Sequence, residues 1–318
     1  MNSLPLVVLT RLLALTFGAL LIHLGATQSA DFWNYHDLFA AHWSMDIRSL
    51  TDLIGFVWTS KSFYEIMDPV FRISPELPYY LSWLVLWVGL CFYGFRGLHW
   101  FLFFSFFPGP DLLLNVIRQE FALGIAAIFL SLSGPMLASL AFLFHPSGIL
   151  TIAFLYVSDR FEKILLSGLL NGMLLILGTV LALVLALNST FFEMGLAKLD
   201  AKRGLAEFGS HFIYFVYFQL AFLAFLCLYI QSRVRRILFF GTIAFCIVMT
   251  VSDIYFYRFI YIFYPFVVFD IGETLRIRPR RRRRRRRRRR ILDWVSRWLR
   301  YGIIASSGAF VTMSSISN

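Results

Sequence analysis

Long apolar runs recur along the chain and are separated by short polar segments. The runs fall at 4–26, 78–95, 98–108, 112–133, 136–157, 163–187, 208–231, 235–251 and 254–270. A bilayer-spanning helix needs about 20 apolar residues, and lipid-exposed backbone must satisfy its own hydrogen bonds. The pattern therefore predicts an all-α polytopic membrane protein, a bundle of about 8–10 transmembrane helices, with eight or nine crossings among these runs.

Two runs are irregular. The run 136–157 is interrupted by His145-Pro146-Ser147, where proline removes a helical hydrogen bond, and the run 98–108 is short. If every run crossed once, the basic cluster at 233–236 would lie outside the cell. Positive charge favours the cytoplasm, so one of these two segments is expected to re-enter or cross twice.

The segment 27–77 is the first long stretch without a span. It is rich in acidic residues, poor in Lys and Arg, and carries three tryptophans, so we expect it to be an external loop. Residues 1–275 then form one transmembrane domain. Residues 276–318 form an arginine-rich cytoplasmic tail, in which the segment from 291 is typical of an amphipathic interfacial helix.

Composition agrees with a membrane protein. Of the 318 residues, 59% are hydrophobic and only 15% are charged, whereas soluble domains are about 25% charged. Most of the net charge of +12 comes from one uninterrupted tract, Arg280–Arg290. The tract either adheres to anionic lipids or is a disordered low-complexity expansion, and no specific nucleic-acid binding is expected. The three cysteines show no metal-ligand spacing, so neither a metal nor another cofactor is expected.

Ionisable side chains inside apolar runs are costly and mark substrate or ion pathways. The prominent ones are Arg118, His145, Asp253 and Arg258. Arginine binds phosphate oxygens through a two-pronged guanidinium, and histidine transfers protons near neutral pH. Alternatives stay open. Arg118 could reach the interface or pair with Glu120 or Asp111. His145 could be a hydrogen-bonded core residue, and Arg258 could pair with Asp253.

Five motifs in order resemble the EpsG/Wzy-like family of bacterial polysaccharide polymerases. They are Asp31-Phe-Trp-Asn-Tyr35-His-Asp-Leu-Phe39, Asp68-Pro-Val-Phe71, Asn115-Val-Ile-Arg118-Gln119-Glu-Phe-Ala122, Ala141-Phe-Leu-Phe-His145-Pro-Ser147, and Arg258 in the aromatic last run. The resemblance covers roughly residues 25–265. Asp68 stands where the family usually has glutamate, and the arginine tract has no counterpart.

The resemblance implies a GT-C-like glycosyltransferase of the bacterial inner membrane. Such an enzyme joins polyprenyl-pyrophosphate-linked oligosaccharide repeats into O-antigen or exopolysaccharide at the outer face. Its partners would be that lipid-linked substrate and membrane lipids, with a chain-length regulator and a flippase as candidate protein partners. A lipid-linked-oligosaccharide flippase and an O-antigen-ligase-like enzyme are the alternatives, because both would also bind a pyrophosphate.

Roles for the motif residues follow from this chemistry. Arg118 and Arg258 are expected to hold the donor pyrophosphate, where leaving-group charge develops. His145 is the first choice for the base that deprotonates the acceptor hydroxyl, and Asp31 or Asp68 is the second. Sugar binding and support are assigned to Tyr35, Gln119, Ser147 and Asp253.

Overall fold

The computed structural model describes residues 4–28, 32, 35, 60–106, 108–145, 147–152, 155, 210–230, 232–251 and 257–282. All regular structure in these ranges is helical, as the apolar pattern predicts. Four predictions lie outside the described residues. They concern Asp31, Asp253, the apolar run 163–187 and the interfacial helix of the tail.

The α-helices in chain order are α1 Leu4–Gly25, α2 Lys61–Phe71, α3 Leu77–Tyr93, α4 Gly97–Ser105, α5 Pro108–Asn115, α6 Ile117–Leu132, α7 Pro135–Ala138, α8 Ser147–Ile152, α9 Ser210–Cys227, α10 Arg233–Val251 and α11 Tyr264–Arg282. Short 3-10 turns occupy Ala26–Gln28, Ser139–Leu143 and Tyr257–Ile262. The chain divides into two compact units. The first contains the described residues up to Ile152 and from Tyr261 onward, and the second those between Ala153 and Ile260.

In the first unit, α1 and α3 run in opposite directions. The indole Nε1 of Trp83 donates to the carbonyl oxygen of Leu15 at 3.0 Å, and that of Trp87 donates to Arg11 at 2.9 Å. A buried indole N–H needs an acceptor, and helix carbonyls of α1 provide it. The two tryptophans therefore fix both the direction and the register of this helix pair.

The C-terminus of α3 is capped twice. Gly94 has a positive φ of 108°, which glycine tolerates, and the N–H groups of Phe95 and Gly94 donate back to Leu90 and Cys91. Arg11 from α1 donates to the carbonyl oxygens of Cys91 at 2.9 Å and Phe95 at 3.2 Å. A cation at a helix C-terminus is favourable, so Arg11 is a structural cap inside an apolar run.

The next two helices, α4 and α5, together run alongside α1 in the same direction. Three contacts follow one another in order: Gly97 with Thr10, Phe104 with Phe17, and Leu114 with Gly25. The predicted short span 98–108 is therefore only the first part of a longer segment, 97–115, that runs the length of α1. Prolines at the start of α5 divide this segment into α4 and α5, because proline cannot continue the helix α4.

The predicted single helix 112–133 is wrong in one respect, because it breaks at Val116. The axes of α5 and α6 differ by 111°, and Val116 has the non-helical angles φ −138° and ψ 49°. After the bend α6 runs parallel to α3, with Gly124 against Val85 and Leu86 and with Ala127 against Gly89. The bend therefore returns the chain alongside α3.

The run 136–157 is interrupted where the sequence predicts it. The segment α7 and its following 3-10 turn go back along α6, since the rings of Phe144 and Phe121 lie 5.1 Å apart. The chain then reverses, because Gly148 at the start of α8 packs against Ala141. His145 lies at this reversal. The geometry is that of a short hairpin laid against α6.

The last helix, α11, packs against α4 in the opposite direction. The hydroxyl of Tyr264 donates to the carbonyl oxygen of Phe103 at 2.7 Å, and Gly272 lies against His99. The predicted last run ends at 270, but α11 continues to Arg282, into the arginine tract. The predicted end at 270 is too early, because the apolar residues end before the helix does.

The first unit has two distinguishable ends. Arg11 from α1, Arg96 at the start of α4 and Arg276 in α11 lie at one end, which we call the basic end. The opposite end, which we call the tyrosine end, contains Tyr35 and Tyr79, whose rings lie 6.3 Å apart. The segment 27–77, predicted as a loop, contributes α2 to this end, with Phe63 and Met67 buried.

The second unit contains α9 and α10, which form a hairpin. Ser232 Oγ accepts the N–H of Arg235 at 3.2 Å and so caps the start of α10. Arg236 Nε donates to the carbonyl oxygen of Ile230 at 3.1 Å, beyond the end of α9. The helix α9 falls within the predicted run 208–231, and α10 begins two residues before the predicted run 235–251 and ends with it.

One helix of the described residues, α1, is long and apolar enough to cross a membrane by itself, and the bent pair α5 and α6 passes the same test if taken together. The outward face of α1 is apolar and exposed, with Leu4, Leu13 and Leu24 at 77%, 59% and 61% exposure. A core helix of a soluble protein would bury that face. An exposed apolar face of this kind is typical of a helix that contacts lipid or another protein surface.

Candidate functional site

Arg118 lies in the first turn of α6, directly after the bend that follows α5. Its Cζ atom is 5.6 Å from the ring centroid of Tyr35 and 5.5 Å from that of Tyr64. Both distances are within the range in which a guanidinium is attracted to an aromatic face. The two tyrosines come from the segment after α1 and from α2, so three separate chain segments hold this side chain.

Edge-to-face phenyl contacts link the helix turn that carries Arg118 to the residue before His145. Phe63, beside Tyr64 on α2, lies 5.6 Å from Phe121, which is one turn along α6 from Arg118. Phe121 in turn lies 5.1 Å from Phe144, the residue before His145. The structure thus brings Arg118, Tyr35 and His145 to the tyrosine end of the first unit.

His145 is hydrogen-bonded to the start of α8. The backbone N–H of Ser147 donates to Nδ1 of His145 at 3.1 Å, and the Ser147 hydroxyl lies 2.7 Å from the same nitrogen. Ser147 is buried, whereas His145 is partly exposed. The predicted pairing of these two residues in one motif therefore corresponds to direct contact.

A hydrogen-bonded network fixes α8 and α5 next to the start of α11. Thr151 Oγ1 lies 3.0 Å from the Ser147 carbonyl oxygen and 3.1 Å from that of Ile262. The hydroxyl of Tyr261 donates to Asp111, which also accepts the side-chain amide of Asn115. These contacts hold Tyr261 and Ile262, the residues just before α11, against α5 and α8.

Arg258 was predicted to share the pyrophosphate with Arg118. Its backbone lies in the 3-10 turn Tyr257–Ile262, and it belongs to the second unit. The convergence of the two guanidinium groups stays a prediction.

Asp68 lies on the partly exposed side of α2. Its carboxylate pairs at 2.8 Å with Arg72, the residue directly after α2. Surface pairs of this kind contribute about 0–1 kcal/mol. Asp68 and Tyr64 are also one turn apart, so the carboxylate lies near the site but is directed to Arg72. Its use as a base stays a prediction.

Gln119 and Glu120 follow Arg118 but point into the bundle. Gln119 is 5% exposed and Glu120 is fully buried. Within the described part of the chain, Gln119 Nε2 and both carboxylate oxygens of Glu120 have no hydrogen-bond partner. Glu120 is therefore not the partner of Arg118 that the sequence left open. The burial of Gln119 favours a supporting position over direct contact with a sugar.

Sequence reasoning overlooked Arg11 and undervalued Glu120. Arg11 is one charge in an otherwise apolar run, and its helix-capping role depends on where α3 ends. Glu120 follows an arginine, so the sequence suggested an ion pair. The only available signal was its position, four residues before Gly124 and on the face that packs against α3.

Burial of Glu120 leads to a testable expectation. An ionised carboxylate without a partner costs far more in an apolar interior than a neutral group. We therefore expect Glu120→Gln to change the free energy of unfolding by no more than about 2 kcal/mol. Glu120→Met should be neutral or stabilising, because it removes unsatisfied polar atoms. Protein level and melting temperature in detergent measure both, and a large loss in Glu120→Gln would show that the charged form is required.

Among the described residues, no three His, Cys, Asp or Glu side chains are grouped in a way that could hold a metal ion. Cys91, Cys227 and Cys246 are thiols that form no disulfide. The expectation of metal-independent chemistry is not tested by this.

The described part of the chain thus defines an all-helical protein with at least one helix suited to a membrane. Comparison with protein-family models, with curated proteins and with solved structures finds no match to this chain. The likeness to the EpsG/Wzy-like family therefore depends on the five ordered motifs alone.

Proposed function

We propose that this protein is a multi-pass enzyme of the bacterial cytoplasmic membrane that polymerises polyprenyl-pyrophosphate-linked oligosaccharides. The membrane assignment is supported by the exposed apolar face of α1 and by the alternating directions of the segments beside it. From the N-terminus, α1, α3, α4–α5 and α6 run in successively opposite directions. Such an arrangement suits a bundle in which each segment traverses the same apolar layer.

The basic end supports an orientation. Arg11, Arg96 and Arg276 lie there, and α11 carries further arginines beyond it up to Arg282. Lysine and arginine accumulate on the cytoplasmic side of membrane proteins. Under this rule the basic end faces the cytoplasm, and the tyrosine end faces outward, where lipid-linked repeats are polymerised.

The single observation that carries the proposal is the position of Arg118 beside the rings of Tyr35 and Tyr64. The contact between Phe121 and Phe144 brings His145 to the same end of the unit. A guanidinium keeps its charge in an apolar environment and matches the oxygens of a diphosphate. Tyr35 is buried beside it, and the partly exposed ring of Tyr64 offers an apolar face for a sugar ring. Together these groups suit a lipid pyrophosphate with a sugar attached.

The proposed reaction transfers the growing chain to the next repeat. An acceptor hydroxyl oxygen forms a bond to the anomeric carbon of the chain, and the bond from that carbon to the pyrophosphate oxygen breaks. Polyprenyl pyrophosphate leaves with the bonding electron pair, and a base takes the hydroxyl proton. Arg118, with Arg258 as its predicted partner, stabilises the charge that develops on the leaving group.

Loss of the gene tests the function. We expect the deletion strain to retain lipid-linked single repeats at the outer face and surface molecules with one repeat, and to lack long polymer. Unattached polymer would indicate a ligase, and accumulation of lipid-linked repeats on the cytoplasmic side would indicate a flippase. Gel separation of surface polysaccharide and mass spectrometry of extracted lipid-linked sugars distinguish the three outcomes. Restoration of polymer by the intact gene is the control.

A further inference from the structure

The hydrogen bonds of His145 assign its proton. A backbone N–H can only donate, so the contact from Ser147 N to Nδ1 at 3.1 Å requires a lone pair on that nitrogen. The Ser147 hydroxyl, 2.7 Å from Nδ1, adds a second donor on the same side of the ring. A neutral imidazole has one N–H group, so its proton is on Nε2.

We propose that Ser147 is a positioning residue that holds His145 in the Nε2–H form, so that His145 donates a hydrogen bond to the departing pyrophosphate and does not act as the base. This inference rests on the proposed polymerase function. A ring with its only lone pair engaged by Ser147 has no basic nitrogen left for an acceptor hydroxyl. Its Nε2–H group is instead a donor.

The surroundings make this arrangement rigid. Ser147 is 2% exposed, and its carbonyl oxygen accepts a hydrogen bond from Thr151 at 3.0 Å. Thr151 is fully buried and also contacts Ile262 next to α11. The donor to Nδ1 thus belongs to a helix start that is anchored to the residues before α11. Moving the imidazole proton to Nδ1 would set two N–H donors against each other. The hydrogen bond that one ring nitrogen accepts sets which nitrogen carries the proton, and in this way a neighbouring residue determines the chemistry of a histidine.

The chemical consequence is that the donor to the leaving group and the base are different residues. Negative charge grows on the pyrophosphate oxygen as the glycosidic bond breaks, and a donor fixed in advance stabilises that charge more than the ground state. His145 would act together with Arg118, which lies at the same end of the unit and is linked to it through the contacts of Phe121. The base must then be a carboxylate, for which Asp31 and Asp68 are the candidates that the motifs provide.

Nuclear magnetic resonance tests the tautomer without relying on activity. The full-length protein, labelled with nitrogen-15 at its six histidines, is examined in detergent at a pH where imidazole is neutral. The His145 signals are those absent from the His145→Gln variant. We expect Nε2 to carry the proton and Nδ1 to lack one, and a proton on Nδ1 would overturn the inference whatever the protein's function.

Two substitutions test the donor role. Glutamine places an amide N–H near the position of Nε2, whereas asparagine places its amide near Nδ1. We expect His145→Gln to retain polymerisation within about tenfold of the native level and His145→Asn to lose about a hundredfold. Equal inactivity of both, while the Arg276→Ala control makes full-length polymer and all variants reach equal abundance, would overturn the donor role and leave the polymerase proposal intact. Failure of the deletion strain to lose polymer would refute the function and leave the tautomer result unaffected.

Discussion

Replacing Arg118 with alanine is expected to reduce polymer formation by about a hundredfold or more, with the protein level unchanged. Removing one group that stabilises transition-state charge typically costs about 10²–10³ in rate. The guanidinium lies over Tyr35 and Tyr64, in the first turn of α6 after the bend. Complementation of a deletion strain, followed by gel separation of the polysaccharide and immunoblotting of the protein, measures the effect.

Lysine at the same position gives a more specific expectation. It supplies a charge but lacks the planar fork, so Arg118→Lys should restore only part of the activity. The matched control is Arg276→Ala, which removes one arginine at the basic end, where the side chain pairs with Glu273 at 3.1 Å. The control should make full-length polymer. Normal polymer from Arg118→Ala at normal protein level would show that the pyrophosphate assignment is wrong.

Replacing Gly124 with leucine is expected to destabilise the protein by about 3 kcal/mol or more, the upper part of the range for overpacked sites. A Cβ atom built on Gly124 would lie 2.6 Å from the backbone nitrogen of Leu86 and 2.6 Å from the carbonyl carbon of Val85. A Cβ atom built on Gly89 would lie just as close to the carbonyl oxygen of Gly124. Backbone atoms cannot move aside as side-chain ends do, so α3 and α6 would have to separate.

Separation of these helices should also affect the site. The helix α6 carries Arg118 at its start, so a shift of α6 displaces Arg118 relative to Tyr64 on α2. The control is Gly241→Leu on α10, where nothing lies within 4 Å of an added Cβ atom. We expect the control to be neutral or slightly stabilising, since glycine inside a helix costs about 1 kcal/mol. Melting temperature and steady-state level compare the two, and equal stability would contradict the close packing.

Part of the fold could be predicted because hydrophobic runs are a local signal. The runs at 4–26 and 78–95 correspond to α1 and α3, and the interruption at 145–147 corresponds to a reversal of the chain. The break at Val116 was not predicted, because neither proline nor glycine marks it and the polar residues Asn115 and Arg118 on either side also occur inside helices. The backbone bends there to bring α6 alongside α3, which is a tertiary effect.

The candidate site shows the same division. The motifs singled out Arg118, Tyr35 and His145 as residue types suited to a sugar pyrophosphate. Nothing local indicated that Phe63, Phe121 and Phe144 would connect them, because aromatic residues are abundant throughout the chain. Residue type limits the chemistry, whereas proximity depends on which helices pack together.

The sequence by itself determined that this chain is helical, since long apolar runs without strand-like alternation leave few other ways to bond the backbone. It also determined which side chains have suitable chemistry. Only the tertiary structure decided that Arg11 caps α3, that Glu120 is buried with no hydrogen-bond partner among the described residues, and that the Nδ1 atom of His145 accepts the Ser147 N–H. The physical reason is that capping, burial and hydrogen-bond direction depend on where a second segment lies, and that is set by the packing of the bundle.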